Sequence, residues 1–253
     1  MVDAVTSKPD AYRFLSRLEA HLNATTPPAE VVRAKLADTV ARAKAAARRT
    51  ADRHSSFAEG AFLNTYVLGS IHTFLTSELR FSSDDARRAL LSESYRAHSK
   101  FASASPVRPG AHPFRKVIGA SAREVIEIWR GRSGVNPLAR NSCPDLALRA
   151  PSPYRTVFEA KYHTNPSATS AEAELAKNIY QAFFYLALPR LPATTKHSAW
   201  DYEFACVLAY DATPDGSLLQ AWKSLRDSVK AACWSGANVY VMILRGSSDA
   251  ASV

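Results

Sequence analysis

The stretch CPDLALRAPSPYRTVFEAKYH, residues 143–163, decides how this chain is read. It has the form of two short strands, about Asp145–Arg149 and Tyr154–Tyr162, joined by the turn Ala-Pro-Ser-Pro. In a strand, residues i and i+2 point to the same face, about 7 Å apart. Glu159 and Lys161 therefore share one face, and Phe158 and Ala160 share the other. Asp145, at the start of the neighbouring strand, can sit beside Glu159. Charged groups among apolar strand residues are costly unless something pairs with them. Either the three pair structurally, or they hold a metal ion.

Outward from the hairpin, the pattern alternates between helix and strand. Ser121–Arg130, SAREVIEIWR, has helical spacing and a Ser-x-x-Glu capping box at Ser121 and Glu124. A long polar loop, GRSGVNPLARNSCP, leads into the hairpin. After it, TSAEAELAKNIYQAFFYLAL is a strong helix, with Thr169 and Glu172 as a capping box and Pro189 as its stop. YEFACVLAYD reads as a buried strand, GSLLQAWKSLRDSVKAACW as one amphipathic helix, and NVYVMILRG as a final apolar strand. The order α-β-β-α-β-α-β predicts an α/β fold, with a mixed sheet flanked by helices. Trp200, Trp222 and Trp234 fall on apolar faces and are expected in the core.

The first hundred residues read as helices. In DAYRFLSRLEAHL, Tyr12, Phe14, Leu15, Leu18 and Leu22 recur at helical spacing. The Ala-rich run from Pro28 to His54 has Val32, Leu36, Val40, Ala43 and Ala47 on one stripe and Lys35, Arg42, Arg49 and Arg53 on another. The basic stripe is open to two readings, a solvated face or a contact for phosphates. A third helix is expected over Ala58–Leu79. A fourth should run through ARRALLSESYRAHSKF, capped by Ser83 or Asp84. The stretch 102–113, rich in Pro, Ser, Gly and Ala, has the composition of a linker. The chain thus divides into an all-helical region, 1–110, and a sheet-bearing region, 111–253.

Composition narrows the function classes. The chain has 253 residues, 47% hydrophobic, enough for a substantial core. Its net charge of +9 favours an anionic partner such as nucleic acid, and the excess is spread over both regions. Three widely spaced cysteines, without a Cys-x-x-Cys, argue against a disulfide framework or a cysteine zinc site and suit a reducing, cytoplasmic setting. The N-terminus lacks the form of a signal peptide, and the longest apolar run is too short to cross a membrane. The histidines show no metal-ligand spacing, and His163 reads as a strand-end residue near the hairpin charges. There is no Gly-x-x-x-x-Gly-Lys-Ser/Thr loop for nucleoside triphosphates and no Gly-x-Ser-x-Gly elbow.

Pro144-Asp145 and Glu159-Ala160-Lys161, with thirteen residues between the two carboxylates, resemble the motif of the PD-(D/E)xK nuclease superfamily, the restriction-endonuclease-like fold. The likeness covers roughly residues 115–245. It is strengthened by Gln181 and Tyr185 on the following helix, a Gln-x-x-x-Tyr pattern found in several branches of the superfamily. The resemblance implies that Asp145, Glu159 and the Ala160 carbonyl hold Mg²⁺, with Mn²⁺ able to substitute; such hard oxygen donors suit the ion. Lys161 would neutralise developing negative charge or help activate the attacking water. Many members add a carboxylate from the helix before the motif. Glu124 is accounted for by capping, which leaves Glu127 as the candidate.

The expected activity is Mg²⁺-dependent hydrolysis of phosphodiester bonds in double-stranded DNA, as in a type II-like restriction or other defence endonuclease. Gln181 and Lys177 would hold backbone beside the metal, with Tyr185 on the same helix face. Arg132 and Arg140, in the loop before Asp145, would read bases or only screen phosphates. Arg42 and Arg49 would contact phosphates, or the helical region would instead form a homodimer, since one site per chain needs two chains to cut both strands. Alternatives are a repair, structure-selective or RNA nuclease, a non-catalytic nucleic-acid-binding protein on the same fold, and a helical interaction protein with the sheet as scaffold.

Overall fold

The computed structural model describes residues 4–47, 56–92, 145–148, 153–164, 168–187 and 203–247. They form a mixed α/β structure around a five-stranded sheet of order β1-β2-β3-β4-β5. The strands are β1 (Leu90–Ser92), β2 (Leu146–Leu148), β3 (Thr156–His163), β4 (Phe204–Asp211) and β5 (Val239–Leu244). β2 pairs antiparallel with β1 and β3, whereas β4 pairs parallel with β3 and β5. The continuous apolar runs of β4 and β5 follow from this. A parallel strand buried on both faces has no reason to alternate, and all residues of both strands are buried.

Helices cover both faces. On one side lie α1 (Ala4–Thr25), α2 (Ala29–Ala47), α3 (Ser56–Phe62), α4 (Leu68–Ser77) and α5 (Ser83–Ala89). Phe14, Leu15, Leu18, Leu22 and Phe74 from this layer pack with Phe158, Ala160, Leu208, Tyr210 and Met242 from the sheet. On the other side, α6 (Ala168–Ala187) and α7 (Ser217–Ser224) pack Leu175, Ala182, Tyr185 and Leu218 on Val157, Val207, Ala209 and Ile243. The N-terminal helices and the sheet therefore share one core. The sheet itself draws β1 from the first ninety-odd residues and its other strands from beyond residue 145.

Several elements differ from the sequence reading. The fourth helix ends at Ala89, and Leu90, at φ −86° and ψ 116°, turns the chain into β1. Pairing with β2 decides this locally, because a leucine pair suits an edge position of a sheet as readily as a helix. Its cap is Ser82, whose hydroxyl accepts from the Asp85 N–H, rather than Ser83 or Asp84. The third helix contains a π turn over Leu63–Val67 between α3 and α4. The expected long amphipathic helix after Gly216 breaks at Leu225 and Arg226, both extended, into α7 and the short α8 (Asp227–Ala231).

Smaller differences concern single residues. α6 begins at Ala168, so Thr169 lies inside the helix rather than capping it. Tyr12 is 49% exposed and Ala11 takes the core position. Trp222 and Trp234 are only partly buried. The expected linker 102–113, the helix at 121–130 and Trp200 lie outside the described residues. Among the described residues, no helix is long and apolar enough to cross a membrane.

Candidate functional site

The hairpin charges meet in the middle of the sheet, on the face covered by α6. Antiparallel pairing sets Leu146 against Phe158 and Ala147 against Val157, which brings Asp145 alongside Glu159. The Asp145 carboxylate accepts a hydrogen bond from the Ala160 N–H at 2.8 Å, so it grips the backbone between Glu159 and Lys161. The strand period then delivers both of those side chains to one face, as spacing demands. Lys161 Nζ donates to Glu159 Oε1 at 2.6 Å.

Glu159 is 3% exposed, so its carboxylate needs partners on every side. The second oxygen accepts from the Tyr185 hydroxyl at 2.7 Å, and the Tyr185 oxygen in turn accepts from Gln181 Nε2 at 2.7 Å. Gln181 and Tyr185 are one helical turn apart on α6, which is why a single helix face can supply both. The result is a relay of directed bonds from α6 through Glu159 to the lysine.

A third carboxylate joins from the opposite layer. Glu59 on α3 places Oε1 3.7 Å from Lys161 Nζ. Burial is the main influence on Glu59 and raises its pKa from the ordinary value; the Lys161 charge only partly offsets this. Burial pushes the Lys161 ammonium the other way, yet the charges of Glu159, Asp145 and Glu59 outweigh it and hold the lysine firmly protonated. Tyr185 is likewise held protonated, by burial first and then by the neighbouring Glu159 and Asp145 charges. In this arrangement Lys161 is a fixed cation and Tyr185 a fixed donor.

The positions of the expected site residues can be stated plainly. Asp145, Glu159, Ala160, Lys161, Gln181 and Tyr185 come together. Lys177 is exposed on α6 and pairs with Glu174 at 3.6 Å. Arg42 belongs to α2, with its side chain outside the described residues; Arg49, Glu127, Arg132 and Arg140 lie outside them altogether. His163 ends β3 two residues beyond Lys161, and its buried Nε2 has no hydrogen-bond partner among the described residues. Glu59 was not anticipated. Its one signal was that it is the single Asp, Glu, Lys or Arg in the helical run Phe57–Leu75.

The donor set is one of hard oxygens, which suits Mg²⁺ or Mn²⁺ in chemical type. Both oxygens of Glu159 are engaged here, one by the ammonium and one by the phenol. Among the described residues, no three His, Cys, Asp or Glu side chains converge in a ready metal-ligand group. Comparison of the chain with protein-family models, curated proteins and solved structures finds no match in any of the three.

Proposed function

We propose that the chain is a Mg²⁺-dependent nuclease of the PD-(D/E)xK type that hydrolyses phosphodiester bonds in double-stranded DNA. One observation carries the reading. Asp145 just before β2 and Glu159 and Lys161 on β3 meet at one point, and α6 fastens Glu159 there through Tyr185 and Gln181. A merely structural Glu–Lys pair belongs on a surface, where it contributes about 0–1 kcal/mol. This one is buried and backed by a helix, an expense that function explains better than stability does.

Asp145, Glu159 and the Ala160 carbonyl would hold the ion, with Glu59 available beside them. When bound, the ion supplies Lewis-acid stabilisation of charge on the scissile phosphate and a water that ionises at neutral pH. The protein's own part is positional and electrostatic. Asp145 fixes the strand backbone, Tyr185 fixes the Glu159 carboxylate, and Lys161 presents a permanently protonated ammonium to the charge that builds on phosphate oxygens. The net charge of +9 favours approach of a polyanion. A restriction-type role and a dimeric assembly belong to this proposal as its finer part, from the resemblance alone.

A second reading has one observation in its favour: the Lys161 ammonium already fills the cationic position against Glu159. On that reading the cluster is a neutralised remnant and the chain binds nucleic acid without cutting it. Incubation with supercoiled plasmid in Mg²⁺, and again in EDTA, separates the two. Metal-dependent nicking or linearisation that is abolished by Asp145→Ala supports the nuclease. Cutting by the variant at the parent rate, or no cutting of any DNA or RNA by the parent, refutes it.

A further inference from the structure

Beside β5 lies a cavity that none of the hairpin charges lines. Among the described residues β5 ends the sheet, two strand spacings, about 10 Å, from β3. The cavity measures about 450 Å³ and is lined by Tyr12 and Glu19 of α1, Trp222 of α7, Lys230 of α8, and Trp234 and Tyr240. That volume is in the range of small-ligand sites. Four aromatic residues line one cavity, though the sequence suggested that its tryptophans were core. Tyr12, Trp234 and Tyr240 pack tilted or edge to face with centroids 5.6–6.0 Å apart; Trp234 also stacks on Phe204, so one of its faces is covered, while Tyr12 is 49% exposed.

The charges around the aromatic walls identify the occupant. Lys8 Nζ lies 5.6 Å from the centre of the Trp234 ring and donates to the Ser235 carbonyl at 2.9 Å; Lys230 Nζ lies 5.9 Å from that of Trp222, donates to the Lys223 carbonyl at 3.0 Å and pairs with Asp227 at 3.6 Å. Both ammonium groups are held at the exposed rim by partners that a phosphate can replace, since an exposed i,i+3 ion pair contributes little. Within, Glu19 is a half-buried carboxylate whose Oε2 accepts from the Tyr240 hydroxyl at 2.7 Å. Its remaining lone pairs can accept from a ligand N–H, and a carboxylate is a partner for an exocyclic amino group such as that of cytosine. A flat aromatic ring with amino hydrogens, attached to a phosphate, satisfies all three features.

We infer that this cavity receives an unpaired base of a single-stranded segment of nucleic acid, stacked on the aromatic walls, with Glu19 accepting from its amino group and Lys8 and Lys230 meeting the flanking phosphates. This rests on the nuclease reading for its biological sense but is tested without it. Full-length protein in EDTA is titrated with fluorescently labelled dodecamers of deoxycytidine and of deoxythymidine, and with cytidine monophosphate. The cytosine strand should bind more tightly than the thymine strand. Tyr12→Ala, at a half-exposed position that folding tolerates, and Trp222→Ala should each weaken strand binding about fivefold or more, the scale of one lost base stack. Lys230→Glu should weaken it further as salt is lowered, and Glu19→Gln should erase the preference for cytosine.

Unchanged affinity in both Tyr12→Ala and Trp222→Ala overturns the inference, as does failure of the parent to bind either strand. Equal affinity for the mononucleotide and the dodecamer overturns the assignment to a polynucleotide. Plasmid cutting in Mg²⁺, measured alongside, keeps the two readings apart. Cutting with no effect of these variants on strand binding sinks the cavity alone, and strand binding lost in the variants without any cutting sinks the nuclease alone.

Discussion

Lys161→Met isolates the physical core of the site. The substitution keeps most of the side-chain volume and removes the ammonium from a carboxylate that is 3% exposed. Glu159 then retains only the Tyr185 hydroxyl, and Glu59 loses its cation at 3.7 Å. Removing one partner of a buried pair costs about 3–5 kcal/mol, because the other charge stays buried. In a chain of this size that is a fall in Tm of about 6–20 °C. The double variant Glu159→Gln/Lys161→Met should recover most of the loss, since an uncharged pair has little to desolvate. Mg²⁺ adds a sharper test. With the ammonium gone, a divalent cation can take its place beside Glu159 and Asp145, and at a hundredfold excess over its Kd the ion should restore about 2.7 kcal/mol. In the parent the gain should be smaller, because the ion must displace Lys161 from Glu159. Thermal and urea unfolding of the three proteins, with and without Mg²⁺, measures all of this. A loss below about 1 kcal/mol would mean that the pair behaves as an exposed one. No Mg²⁺-dependent rise in the Lys161→Met protein would mean that the carboxylates bind no ion.

Other outcomes follow from neighbouring groups. Tyr185→Phe deletes the donor to Glu159 Oε2 and the acceptor of Gln181, so unfolding should cost about 1–3 kcal/mol less free energy and plasmid cutting should slow; parent-like values in both assays would detach α6 from the site. Glu59 has a raised pKa in the folded chain, so folding favours its protonated form. Its contribution is complete below its ordinary value of 4.5 and is lost as pH rises through the raised one. Glu59→Gln, which stays neutral, should therefore gain stability relative to the parent on going from pH 4 to pH 7, and a relative loss over that range refutes the burial argument. Binding of duplex DNA in EDTA should weaken steeply as salt rises from 50 to 200 mM; a flat response would exclude phosphate contacts as the source of affinity.

What the sequence disclosed tracks the range of the interactions that decide each feature. The hairpin and the shared face of Glu159 and Lys161 depend on a two-residue period, and the Gln181–Tyr185 bond on a four-residue one, so local spacing sufficed. β4 and β5 were visible because strands buried on both faces are apolar throughout. Errors arose where tertiary contacts overrode a good local pattern. Leu90 and Leu91 continue an amphipathic helix on paper, yet they pair with Leu148 and Ala147 of a strand more than fifty residues away. The break at Leu225 and Arg226 has no Gly or Pro to announce it, and nothing in the local sequence distinguishes these residues from their helical neighbours.

Glu59 shows the same limit at the site itself. A carboxylate was sought on the helix next to the motif in the chain, because sequence offers proximity only along its own length. The residue that reaches Lys161 comes instead from α3, some hundred positions earlier, carried there because α1–α5 cover the Phe158–Ala160 face in the same core as the sheet. That placement bears on how the region of helices is understood. A detached module could contribute phosphate contacts or a dimer surface, but it could not hold a half-buried carboxylate against a sheet lysine. Since Glu59 does so, any change that loosens α3 from the sheet should disturb the charge balance around Lys161 as well as stability. Phe62→Ala is such a change: Phe62 is fully buried one turn from Glu59 and packs on Tyr210 at 4.7 Å between centroids. Its expected cost is about 3–5 kcal/mol. If the nuclease reading holds, cutting measured well below the new Tm should also fall, because Glu59 moves with its helix. Full activity in a destabilised but folded Phe62→Ala protein would show that Glu59 is a bystander and that the hairpin works without it.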